Sequence, residues 1–390
     1  MSPRYSEKLD QLLQVSPDQA RQQRQSRFNE RTSNLKGPVI LWGCGPLGSH
    51  VARTLTGSRL KVQGFVDRRP ELWGKIFEEH PIMSPDSLRD ASCQDCLVII
   101  TIYTSEPLRQ LLTGWGMPFL TFPELAWGMP ERFLPYCALD NPKIMSTQQE
   151  AVRAGLSGWA DQPSREEFLG QLEWRLTLNY DALPPHLGAQ DIYFPSNLIA
   201  LKPNEHYVDC GAFDGDSIRE LLRKTEGKFD QITAFEPDSV NFQRLSDFAC
   251  TMPPSAISRM KLIHAGVGDK PSTGFQKNEA GTVRSSVEST GGMPVNIVTL
   301  DSTLADEAPT LIKMDIEGFE PFALKGAATI IQKYRPILAI CLYHAFDHLW
   351  SIPNYLHGLA PDYQLYLRRH SDECWESVCY ALPLSRVKTG

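Results

Sequence analysis

Apolar residues in this chain fall into short separated blocks, and between the blocks they recur at helical spacing. The first block, Val39-Ile40-Leu41-Trp42, leads into a glycine-bearing turn and a helical stretch through Thr54. Blocks at 60–66, 81–83, 97–103 and 119–122 repeat the design, with one helix predicted from Ser84-Pro85 and another before the last block. Short apolar runs bounded by turn residues read as buried strands. Strands alternating with helices imply a parallel sheet covered on both faces. Residues 37–125 are therefore expected to form one small Rossmann-like, doubly wound α/β domain. A mainly helical connector at 126–195, punctuated by Pro163, Pro184 and Pro185, is expected to pack on a second domain. From 196 to 390 the alternation resumes, with strands predicted at 206–210, 231–235, 261–267, 295–299, 310–314, 336–342, 364–368 and 378–381. Little helix follows Arg368, so the last strands should form an antiparallel hairpin on an otherwise mostly parallel sheet. Residues 1–36 are polar, with no sustained apolar face after Leu13, and predict a helical or loose arm.

Composition narrows the function classes. With 390 residues, 42% hydrophobic and 22% charged, the chain can bury two ordinary cores and is not disordered. Its formal net charge of −7 disfavours a nucleic-acid partner. Nine cysteines, an odd number scattered singly, fit a reducing compartment better than a disulfide framework. Cys93 and Cys96 form a lone C-x-x-C pair without a second pair to complete a metal site. Residues 1–14 lack the apolar core of a signal peptide, and the stretches 96–102 and 336–343 are too short to span a bilayer. The expectation is a soluble cytoplasmic protein; a homo-oligomer stays open.

Two turns carry candidate chemistry. Gly43-x-Gly45-x-x-Gly48 follows a strand and opens a helix, and Asp67 ends the next strand, as in a dinucleotide fingerprint. Pro46 removes one amide from the phosphate cradle. Hence two readings stand: a second nucleotide site at Gly43, Gly45, Gly48 and Asp67, or a glycine turn kept for helix–sheet packing. The second turn, Asp209-Cys210-Gly211-Ala212-Phe213-Asp214-Gly215-Asp216-Ser217, also joins a strand to a helix. Its acidity disfavours a pyrophosphate and favours a cationic ligand such as S-adenosylmethionine (SAM), whose amino end Asp209 and Asp216 could hold. The next strand ends in Glu236-Pro237-Asp238, where a carboxylate is placed to accept ribose hydroxyls. Asp238 also suits a helix N-cap. Gly266 and Val267 then offer an edge for an adenine ring.

At this point the chain resembles a known family. VDCGAFDGDS, FEPD, GVGD and LIKMDIEGFEPFALKGA look like FkbM-family SAM-dependent methyltransferases, and YHAFDHLWSIPNYL and YQLYLRRHS…VCYALP resemble its sugar-associated branch. The likeness covers roughly 191–383. It implies the class I methyltransferase fold, a seven-stranded sheet with an antiparallel last strand. It implies SAM as cofactor and a small-molecule or carbohydrate acceptor: a sugar, a polysaccharide or lipopolysaccharide component, or a polyketide.

Methyl transfer to a hydroxyl needs alignment and a proton acceptor. Asp315 should end the fourth core strand beside the cofactor, and Glu317 shares its face if the strand continues, unless it caps the following helix. His344 follows the fifth core strand, where a near-neutral imidazole can serve as base, although a lone histidine is as readily structural. Asp315, His344 and Glu317 are the catalytic candidates. No metal is expected, a cation on those three residues being the minor alternative. The main reading is O-methylation. The alternatives are an NAD(P)-dependent oxidoreductase using the first turn, which lacks an obvious redox pair, and a non-enzymatic nucleotide-binding protein.

Overall fold

The chain opens on two helices, α1 (Pro3–Leu13) and α2 (Pro17–Thr32). In α2, Ser16 and Gln19 make a reciprocal capping box, and Ala20, Arg24, Phe28 and Thr32 are buried at four-residue spacing. The arm is thus helical and docked, on a stripe that includes a cation. The Arg24 guanidinium lies 3.4 Å from the Trp127 ring centroid and donates to the Arg175 carbonyl. The computed structural model describes residues 3–90, 93, 95–276, 287–288 and 293–387.

The first sheet has the order β3-β4-β2-β1-β5-β6. Its strands are β1 (Val39–Trp42), β2 (Val62–Val66), β3 (Ile76–Phe77), β4 (His80–Met83), β5 (Leu97–Ile100) and β6 (Phe119–Thr121). All four residues of β1 and of β5 are buried, as a central strand covered on both faces requires. Helices α3 (Pro46–Leu55) and α4 (Glu106–Gly114) follow β1 and β5. The expected helix at Ser84-Pro85 is a short 3₁₀ turn, Pro85–Arg89. After β6 come α5 (Phe122–Gly128), α6 (Pro130–Phe133), α7 (Lys143–Thr147), α8 (Gln149–Gly158) and α9 (Gln162–Thr177). Helix α9 packs on the last strands of the chain and on α1 and α2.

A second sheet of seven strands has the order β16-β17-β15-β14-β7-β8-β9. It comprises β7 (His206–Cys210), β8 (Gln231–Phe235), β9 (Met260–Ile263), β14 (Leu311–Met314), β15 (Ile337–Cys341), β16 (Tyr363–Arg369) and β17 (Ser377–Pro383). Strand β17 runs antiparallel between β15 and β16, so the expected reversed strand is present. The single strand expected at 261–267 is broken. Beyond β9, β10 (Gly266–Val267) leaves the main sheet and pairs with β13 (Met293–Val298), in a small sheet with β11 (Ser272–Gln276) and β12 (Val287–Glu288). The connecting helices are α10 (Asp216–Lys224), α11 (Ser239–Cys250), α12 (Pro254–Ile257), α13 (Leu300–Thr303), α14 (Glu320–Lys325), α15 (Ala328–Tyr334) and α16 (His348–Leu359). All nine cysteines are free thiols. Among the described residues, no helix is long and apolar enough to cross a membrane.

Candidate active site

Strand order reverses between β7 and β14, and in open α/β sheets the crevice outside the strands' carboxyl ends at such a point receives ligands. A cleft of about 320 Å³ lies there. The close approach of the two strand ends depends on glycine. Gly211 has φ +81°, and a Cβ on it would stand 2.0 Å from the Asp315 carbonyl oxygen.

Beneath the cleft is a buried ion pair that sequence reasoning missed. Lys313 on β14 is registered directly beside Asp209 on β7, and its Nζ lies 3.0 Å from Asp209 Oδ1. Burial pulls the ammonium down, but the carboxylates of Asp209, Asp315 and Asp216 outweigh it and hold Lys313 above its ordinary value. Ser217 Oγ donates to the other Asp209 oxygen. Asp209 is thus fully buried and committed, under the cleft and not in its wall.

The remaining predicted residues divide clearly. Gly211, Phe213, Asp216, Glu236, Pro237, Gly266, Val267, Asp315 and Glu317 all line the cleft. Ala212 and Ser217 are buried, and Gly215 is the left-handed N-cap of α10. Asp238 caps α11, accepting from the amides of Val240 and Asn241 at 2.8 Å. Glu236 accepts from the amides of Phe213 and Asp238, each at 2.8 Å, so its carboxylate also ties the two loops together. Burial pushes it up to about 7.

Asp315 accepts from the hydroxyls of Tyr193 (2.7 Å) and Tyr343 (3.3 Å). Burial raises its carboxyl, but His344, Lys313 and Tyr193 outweigh this and leave it below the usual value. Glu317 holds a left-handed backbone, φ +56°, directly before Gly318 at φ +100°. The expectation of a near-neutral His344 is corrected. Its side chain is 2% exposed, with Nδ1 2.7 Å from Glu320 Oε1 and Nε2 3.3 Å from Asp315 and 3.6 Å from Glu317. Burial favours the neutral ring, but the surrounding carboxylates win and push it up to about 9. An imidazole already protonated at neutral pH is a poor base. Two further acids were missed. Glu320, fully buried on α14, accepts from the Ile316 amide behind His344. Glu376, between β16 and β17, lines the cleft without a side-chain hydrogen bond among the described residues. Burial and Asp315 push it up to about 7. Lys313 carries a sequence signal, a lone charge inside a buried strand, and Glu320 carries one in its three-residue spacing from Glu317. Glu376 has none, because the hairpin that brings it here is a long-range feature.

The first glycine turn is organised differently. A Cβ on Gly48 would stand 2.0 Å from the Gly43 carbonyl oxygen, so this glycine serves the packing of α3 on β1. Asp67 accepts from the Cys44 amide (3.0 Å) and from the amide, Nε and Nη2 of Arg69. Those bonds, the Arg69 side chain first, hold its carboxyl well below the usual range. At the end of β5, beside this sheet's own reversal point, the chain's 371–376 loop docks. Ser105 Oγ donates to Glu373 (2.7 Å), Asp372 accepts from the Glu106 amide, and Trp375 packs on Tyr103 and Tyr136. The turn read as a possible second nucleotide site thus has its carboxylate saturated and the chain's own loop packed beside its crevice.

Residues 209–368 match the family model of the methyltransferase FkbM domain. The chain is similar to the solved methyltransferase FkbM from Methylobacillus flagellatus KT, with a TM-score of 0.72 and 25% identity over 97% of this chain and 98% of that one. An rRNA methylase from Streptococcus thermophilus aligns over 47% of this chain and 90% of its own, at 14% identity and a TM-score of 0.29. No curated protein matches the chain.

Proposed function

We propose, from the premise that residues 209–368 form a methyltransferase domain of the FkbM family, that the chain uses SAM to methylate a hydroxyl group. The acceptor class we favour is a sugar, a polysaccharide or lipopolysaccharide component, or a polyketide-like molecule. The observation that carries this reading is the acidic cleft at the ends of β7, β8 and β14. Asp216, Glu236, Asp315, Glu317 and Glu376 line it, and Lys313, the one lysine lining it among the described residues, is committed to Asp209. That donor set suits a ligand bearing an ammonium and a sulfonium, and the volume falls at the lower end of small-molecule sites, ~300–1,000 Å³.

When bound, SAM supplies an electrophilic methyl group for in-line displacement by the acceptor oxygen. Glu236 accepts the ribose hydroxyls, Asp216 at the start of α10 takes the ammonium, and Gly266 and Val267 offer the adenine a surface. Asp315, kept ionised by its tyrosine and histidine partners, favours positive charge in the cleft. Glu376, whose carboxylate makes no side-chain hydrogen bond among the described residues, accepts the acceptor's hydroxyl proton. His344 holds Asp315 and Glu317 in place.

Calorimetric titration with S-adenosylhomocysteine, then with NAD⁺ on the same sample, tests the reading. Binding of the homocysteine nucleoside without an NAD⁺ signal supports it, as does transfer of labelled methyl from SAM to a panel of hydroxylated acceptors. NAD⁺ binding alone would overturn it and move the site to the first turn.

A further inference from the structure

Residues 186–193, ahead of β7, lie in no helix or strand. Ile192 and Tyr193 belong to the wall of the cleft. The same two residues, with Ala189, Gln190 and Asp191, bound a second cavity of about 470 Å³ over α10. Asp216, assigned above to the cofactor's ammonium, lines both spaces. The segment is thus a partition at the amino-acid end of the cofactor site. Its upstream end is anchored, the Leu187 amide donating to the Arg369 carbonyl and His370 Nδ1 lying 2.9 Å from the Gly188 carbonyl oxygen. Downstream, Phe194 is buried and packs edge-on to Tyr207. Between these anchors backbone bonding is sparse: the amides of Ala189, Gln190, Asp191 and Tyr193 donate no hydrogen bond among the described residues. Side chains hold the span instead. Lys224 and Arg223 of α10 pair with Asp191 at 2.6 and 3.5 Å, the Tyr380 hydroxyl donates to the Ile192 carbonyl, and the Tyr193 hydroxyl donates to Asp315 at 2.7 Å. Gly188 and Asp191 both hold left-handed backbones, φ +82° and +68°, the second adopted by an aspartate only at a cost. Segments with few backbone bonds open at low free energy. Opening here need not strand a charge, because Glu220, one turn back on α10, offers Lys224 a second carboxylate at 3.9 Å.

We propose that residues 189–193 are a strap that closes over the amino-acid end of the cofactor site, with Asp191 and Lys224 as its latch. When the strap opens, the two cavities become one and the site faces solvent. When it closes, the Tyr193 hydroxyl is brought onto Asp315 and water is shut out of the cleft. Because the strap must open at each exchange of cofactor for product, it governs entry and release more than affinity. This role rests on the SAM reading of the cleft.

The test follows labelled S-adenosylhomocysteine on the full chain, its association by rapid mixing and its release by a chase with unlabelled compound. Asp191→Asn removes the charge and keeps a residue suited to the left-handed backbone, and Lys224→Met keeps the apolar stem. Each should raise the dissociation rate at least tenfold and raise the association rate as well, since an unlatched strap opens more often. Binding of the homocysteine nucleoside should also slow hydrogen exchange at the amides of residues 189–193 in the wild-type chain. Rates unchanged in both variants, faster release joined to slower association, or exchange indifferent to the ligand overturns the strap. A wild-type chain that binds no S-adenosylhomocysteine removes the cofactor reading and the strap's role with it, whereas binding with unchanged rates removes the strap alone.

Discussion

Single residues in the cleft are set apart by what already binds them. Glu236 and Glu376 are both pushed up to about 7 by burial, yet one is tied to two backbone amides and the other is not. Replacing Glu236 by Ala should weaken S-adenosylhomocysteine binding by roughly 1–3 kcal/mol, the range for bonds to a charged group, as read by calorimetry. Only the ionised carboxylate accepts two hydroxyls fully. The wild-type affinity should therefore rise as pH increases through about 7, and Glu236→Gln should flatten that rise. An affinity that does not change with pH or with either substitution would take Glu236 out of the site. Glu376→Gln should lower turnover by ~10²-fold or more, the scale of a lost proton acceptor, with homocysteine-nucleoside affinity changed far less. Full activity in that variant would return the base role to the other cleft carboxylates.

Elements were legible where their pattern is local. The buried strands β1, β5, β7 and β14 and the turn after β7 follow from short apolar runs ending in glycine and acid. The break after β9 was not legible, since Ile263 and Gly266-Val267 read as one run until β13 draws the second part into another sheet. The tip of the β16–β17 hairpin was hidden for the same reason. Its Ser371-Asp372-Glu373 looks like a solvated turn, yet Glu373 is 1% exposed and accepts from Ser105, Tyr180 and the Trp375 indole. Burial pushes this carboxyl up to about 7. Because the folded chain holds its proton more tightly than the unfolded one, Glu373 contributes stability below pH ~4.3 that is lost as pH rises through about 7. The loss is at most about 4 kcal/mol, with the bonds from the three donors already counted in it. Glu373→Gln has no charge to bury. Between about pH 5 and pH 8 the wild-type melting temperature should therefore fall relative to the variant's. Parallel curves would mean that Glu373 stays ionised.

At the scale of the molecule, that hairpin gives the first domain a role its glycine turn does not. Glu373 and Trp375 are fixed on Ser105 and Tyr103 beside the first sheet and on Tyr136 of the following segment, and the next residue, Glu376, faces the cleft with a left-handed backbone, φ +55°. A grip on residues 372–375 is thus a grip on the proposed proton acceptor. The residues assigned to SAM come from β7, β8 and β10 and do not depend on it. Trp375 is 3% exposed, and truncating such a tryptophan costs about 3–5 kcal/mol. Much of that cost falls on contacts between the two sheets' domains. Trp375→Ala should therefore turn a single calorimetric unfolding transition into two. It should also lower turnover at least tenfold with little change in S-adenosylhomocysteine affinity. If instead affinity and turnover fall together, the first domain supports the whole cleft and not the loop alone. If neither moves, the docked hairpin is packing without consequence for the chemistry.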